Sequence, residues 1–138
     1  MSAPGTFDIV IPKYQWPGGR LMSLNDRGQW AARARATKAW RMTGRLYGRN
    51  AIHTGLPHPL PTPVTVTMGV RYQNNKRRDI ANTMPTAKAL IDGLRDAGLL
   101  ADDHDGVLVG PFIHRLAPNG YPTLTLTLTW PVPAQDAA

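Results

Sequence analysis

Residues 76–105 read KRRDIANTMPTAKALIDGLRDAGLLADDHD, and this stretch decides the fold. Ala87, Leu90, Ile91, Leu94 and Ala97 recur at helical spacing, with Lys88, Asp92, Arg95 and Asp96 on the other side, so an amphipathic helix is expected here. Pro85 suits its first turn, Asn82 or Thr83 its amino-terminal cap, and Gly98 its left-handed carboxyl-terminal residue. Acid brackets the helix, with Asp79 before it and Asp102, Asp103 and Asp105 after it. Three bases, Lys76, Arg77 and Arg78, lead in.

Upstream, residues 64–72 alternate, placing Val64, Val66, Met68, Val70 and Tyr72 on one side and polar or small residues on the other. That is a strand with one buried face, feeding directly into the segment that carries Asp79. Residues 7–12, 107–116 and 121–130 also read as strands, and the last contains the clean alternation TLTLTLTW. Asn119-Gly120 between the last two strands signals a hairpin. Residues 26–49 have helical composition. Ala32, Ala36, Ala39, Trp40, Thr43, Leu46 and Tyr47 share one face, opposite a basic ridge of Arg27, Lys38, Arg41, Arg45 and Arg49. Gly44 and Gly48 are expected to fray the last turns of this helix, and residues 50–63, with four prolines, to form a loop. The element order implies an α/β chain of α+β-like character, a small mixed sheet of about four strands packed with two main helices. A length of 138 residues fits one domain spanning 1–138, with loose ends at about 1–6 and 131–138.

The formal charge is +7 and the pI about 10.4, which favours a polyanionic partner. The distribution is more telling than the total. All nine acidic residues are Asp; six lie between Asp79 and Asp105, whereas nine bases between Lys13 and Arg49 face only Asp26. A basic surface around an acidic pocket is what a metal-assisted phosphodiesterase needs. Cysteine is absent, which excludes disulfides and thiolate metal sites and fits a reducing compartment. No apolar run is long enough to span a bilayer and the amino terminus lacks a signal-peptide layout, so a cytoplasmic protein with no membrane partner is expected.

Clustered carboxylates hold Mg²⁺, which orients water and offsets charge on a phosphate. Asp79, Asp102 and Asp103 are the candidates; Asp105 is weaker because Asp-Gly is often only a turn. The competing reading makes Asp102 and Asp103 solvated loop residues. Lys88 either pairs with Asp92 or reaches the phosphate. His53 and His58 have poor spacing for a preformed metal site, and His104 stands alone.

RRDIAN, followed by PTAKALIDGLRDAGLLADD, resembles the signature of the RusA family of Holliday junction resolvases, especially its phage-encoded branch. The match covers about a quarter of the chain, and SLNDRGQW before a basic helix is a weaker likeness to the family's early Asn and Trp segment. The resemblance implies a homodimer that binds four-way DNA junctions and nicks them symmetrically with Mg²⁺, Mn²⁺ being a possible substitute. By position it implies metal binding by Asp79, Asp102 and Asp103, a catalytic role for Lys88, and DNA contacts for Arg78 and Asn82. Arg27, Lys38, Arg41, Arg45, Lys76 and Arg77 would position the DNA backbone. Ala81 departs from the pattern, standing where a second motif aspartate is expected. It is either an inactivating replacement, for which alanine is the usual choice, or a natural loss; in both cases metal binding weakens and DNA binding survives. The alternative is a branched-DNA-binding protein that never cut DNA. Generic RNA or single-strand binding ranks last, because the strands expose mostly Thr rather than aromatics.

Overall fold

A computed structural model describes residues 5–23, 30–102 and 107–132. Strand β1 is Gly5–Pro12, β2 Val64–Arg71, β3 Leu108–Leu116 and β4 Thr123–Trp130; helix α1 is Trp30–His53 and α2 Met84–Ala97. A short 3₁₀ turn, Ile80–Thr83, leads into α2. The strands form one mixed sheet in the order β1-β4-β2-β3, so the expected class holds.

The core lies on one face of that sheet. Leu124, Leu126 and Leu128 of β4, Val64, Val66, Met68 and Val70 of β2, and Ile9 and Ile11 of β1 are all buried there. Ala87, Leu90, Ile91 and Leu94 of α2, with Trp40 of α1, belong to the same cluster. Alternation in the strands and helical spacing in α2 thus supply matching apolar faces. Trp16 closes one side; its indole Nε1 donates to the Ile11 carbonyl at 2.9 Å and its ring lies 6.5 Å from Trp40.

Between β2 and β3 the chain makes a parallel crossover, with α2 returning it from the carboxyl end of β2 to the amino end. At that far end Leu60 N–H donates to the Leu99 carbonyl at 2.8 Å. Gly98 ends α2 in the left-handed region at φ 88°, and its N–H reaches the carbonyls of Leu94 and Arg95, as expected.

Four expectations fail. No β3-β4 hairpin forms: β4 pairs antiparallel with both β1 and β2, which puts β2 between β3 and β4. Asn119 does bend the chain, its side-chain oxygen accepting from Tyr121 N–H at 2.9 Å, but β2 pairs along both its edges, with β3 and β4, and this outweighs the local preference. Helix α1 runs on to His53, into the stretch read as a loop. Its buried residues are Trp40, Gly44, Gly48 and Ala51, whereas Leu46, assigned to the core face, is 55% exposed. The two glycines do not fray the helix; they let α2 come close.

Candidate nucleic-acid interface

One end of the sheet gathers the carboxyl ends of β1 and β2, where Pro12 pairs with Thr123 and Thr123 with Arg71. A cleft of about 440 Å³ opens there, lined by Lys13, Arg20, Tyr72, Arg78, Asp79 and Asn82 among others. Segment 21–23 forms one wall. It is pinned to α2 by buried Thr86, whose hydroxyl donates to the Met22 carbonyl at 3.0 Å and accepts from Met22 N–H at 2.9 Å.

Tyr72 organises the charge beside this cleft. The Arg78 guanidinium lies 4.3 Å from the ring centroid and that of Arg115 4.9 Å. Arg78 donates to the Asn74 carbonyl, the Asn74 side-chain oxygen and the Lys76 carbonyl at 3.0–3.3 Å, and Arg115 donates to the Asn74 carbonyl at 3.0 Å. Among the described residues neither guanidinium has a carboxylate partner. Two positive charges are therefore held in place by neutral acceptors and an aromatic ring, which leaves their charge available to an anion. Partial burial pushes the Tyr72 hydroxyl above its usual range, against the opposing pull of the two guanidiniums.

Asp79 is exposed at the rim of this cleft and caps the 3₁₀ turn, its Oδ1 accepting from Ala81 N–H at 3.1 Å. Asn82 lines the same cleft and Ala81 is exposed. Lys76 and Arg77 are exposed on the approach.

The other candidates lie elsewhere. Asp102 follows α2, at the opposite end of the crossover from Asp79; the fourteen residues of the helix span about 20 Å. One protomer therefore does not bring Asp79 and Asp102 onto one ion. Among the described residues no three His or Asp side chains form a group able to hold a metal. Arg27, Asp103, His104 and Asp105 lie outside the described residues. Lys88, one turn into α2, lines two grooves together with Asp92 and not the cleft of Asp79. Asp92 itself accepts from Arg95 at 3.0 Å. The basic ridge of α1 is partly committed, since Arg41 forks onto Asp96 at 2.6 and 2.8 Å, while Lys38 and Arg45 are exposed. That fork holds the Asp96 carboxyl below its ordinary range and the Arg41 guanidinium above its own.

Sequence reading missed Tyr72 and Arg115 as site residues. Arg115 stands opposite Val70 only because β3 runs parallel to β2, and the expected hairpin with β4 concealed that pairing. No protein-family model matches the chain, and comparison with curated proteins found no match. No helix among the described residues is long and apolar enough to cross a membrane.

Proposed function

We propose that the protein binds branched DNA and acts as a Holliday junction endonuclease of the RusA type, working as a homodimer. The observation that carries the binding is the Arg78-Tyr72-Arg115 stack, two fixed guanidiniums with no carboxylate partner among the described residues, beside a cleft that also holds Lys13 and Arg20. Duplex phosphates are the natural ligand for such an arrangement on a chain of charge +7. Asn82 and the exposed Lys76, Arg77, Lys38 and Arg45 extend the polar surface available to the backbone.

The cutting rests on the motif resemblance of residues 77–103, and here the fit to Mg²⁺ is incomplete within one chain. Asp79 and Asp102 lie at opposite ends of α2, and alanine stands at position 81. A dimer that sets Asp79 of one copy beside the acidic pair of the other would supply carboxylates that a single copy does not. Lys88 would then meet the scissile phosphate only if its groove faces that junction of copies.

The test is a competition assay followed by a cleavage assay. The protein should bind a synthetic four-way junction in preference to a linear duplex of the same sequence, and Ala81→Asp should gain symmetric, Mg²⁺- or Mn²⁺-dependent nicking. Equal affinity for both DNAs overturns the branched-DNA reading. Tight junction binding with no nicking after Ala81→Asp leaves the non-catalytic alternative in its place.

A further inference from the structure

The first ten residues of α1, Trp30 to Ala39, contain no buried residue, and only Ala36 and Ala39 are even partly covered. About 15 Å of helix thus stands away from the core. Trp30 is 83% exposed at its start, whereas Trp16, Trp40 and Trp130 are at most 8% exposed. A helix without a buried face ordinarily relies on paired charges along its surface. Here α1 has no acidic residue, and Arg33, Arg35 and Lys38 form no ion pair among the described residues.

Trp30, Arg33, Ala34 and Thr37 fall three and four residues apart on one side of α1 and line a groove of about 470 Å³. Across it stand Pro85, Lys88 and Ala89 of α2. Arg33 and Lys88 thus line a groove that has an accessible indole among its walls. Asp92 also lines it, and Asp92 accepts from Arg95. Aromatic surface beside two bases is the combination that holds an unpaired nucleotide, the base stacking on the ring and its phosphates meeting the cations.

We infer that this groove binds single-stranded nucleic acid, Trp30 stacking on an unpaired base while Arg33 and Lys88 meet the adjoining phosphates. The inference rests on the DNA-binding reading above and adds the ligand class: an opened four-way junction interrupts stacking at its branch point, where a base can leave its pair more readily than inside a continuous duplex. Charge complementarity selects a polyanion over a second copy of this chain, which would bring the same six Arg and Lys of α1 against another basic surface.

Tryptophan fluorescence tests this directly, because the other three indoles are buried. Titration with oligothymidylate or with a four-way junction should quench the Trp30 emission, and a blunt duplex should quench it much less. Trp30→Phe should remove the quenching and keep most of the affinity, since a phenyl ring still stacks. Trp30→Ala should weaken oligothymidylate binding about tenfold, and Arg33→Gln should lower the salt dependence by about one counterion. Circular dichroism of each variant should match the parent, the altered side chains being exposed. Unchanged emission while a gel shift shows junction binding overturns the groove and leaves the DNA-binding reading intact. Absence of any gel shift removes that reading itself. A concentration-dependent dimer that dissociates on Trp30→Ala, with no quenching by DNA, assigns the groove to self-association and also overturns the inference.

Discussion

Gly93 of α2 meets Gly44 of α1 backbone to backbone: a Cβ built on Gly93 would lie 2.8 Å from the Gly44 carbonyl carbon and 2.6 Å from the Arg45 amide nitrogen. A Cβ on Gly44 would likewise collide with the Leu90 carbonyl. The helices are in contact along their main chains, which brings Arg41 within reach of Asp96.

Gly93→Ala therefore sets two effects in opposition. Alanine favours an isolated helix by about 1 kcal/mol, but a methyl group here is opposed by backbone atoms that cannot rotate away. Overpacking of this kind costs about 1–3 kcal/mol or more, so the variant should be less stable than the parent. Urea denaturation should show a lower midpoint. A raised midpoint would mean that the helices are spaced further apart than described.

The Arg41-Asp96 fork predicts an acid-side effect. Because the folded carboxyl titrates below its unfolded value, its contribution is complete above the ordinary carboxylate range, near pH 4, and fades as the pH drops through the lowered folded value. Asp96→Asn should thus lower the melting temperature at pH 7 and have a smaller effect at pH 2. Both side chains are well exposed, at 51% and 34%, so the effect should be small and should shrink further in concentrated salt. Thermal melts at the two pH values, at low and high ionic strength, check both statements.

Much of the fold was legible because it rests on periodic patterns. The alternation from Thr123 to Trp130 and the spacing of Leu90, Ile91 and Leu94 leave few other arrangements. What could not be read were choices between partners. The Asn119-Gly120 signal is local, while the placement of β4 between β1 and β2 is decided by burial over the whole sheet. Gly44 and Gly48 looked like helix breakers because composition does not reveal which helix will lie against them. For the candidate site, the motif resemblance singles out Arg78, Asp79 and Asn82, and these three line one cleft. Asp102 joins them in the sequence reading as a carboxylate across one helix and by the motif, yet that helix runs back along the sheet and carries it to the other end.

Asp79 has a structural duty that can be separated from any catalytic one. Its carboxylate caps the turn at Ala81 N–H, and asparagine caps as well as aspartate does. Asp79→Asn should retain the parent's stability, whereas Asp79→Ala should lose about 1 kcal/mol. In the Ala81→Asp background both should abolish metal-dependent nicking, since neither supplies a carboxylate. If Asn preserved cleavage as well as stability, Asp79 would be a cap alone and the nuclease reading would have to place its carboxylates elsewhere.

The separation of Asp79 and Asp102 along α2 makes the dimer open to a mixing experiment. Asp79→Asn and Asp102→Asn, each made in the Ala81→Asp background, should be inactive alone because both sites of each homodimer lack a carboxylate. If each site draws Asp79 from one copy and Asp102 from the other, a mixed dimer concentrates both defects in one site and leaves the other whole. Equal mixing with free exchange of subunits should then restore about a quarter of the intact sites. A site built within one chain gives a different result: every site in the mixture keeps one defect, and nicking of the four-way junction stays at the level of the separate variants. Recovery on mixing would place the catalytic centre between copies; no recovery from two variants that are each inactive would place it within one chain, and an Asp102→Asn variant that nicks on its own would show that Asp102 plays no part in the chemistry.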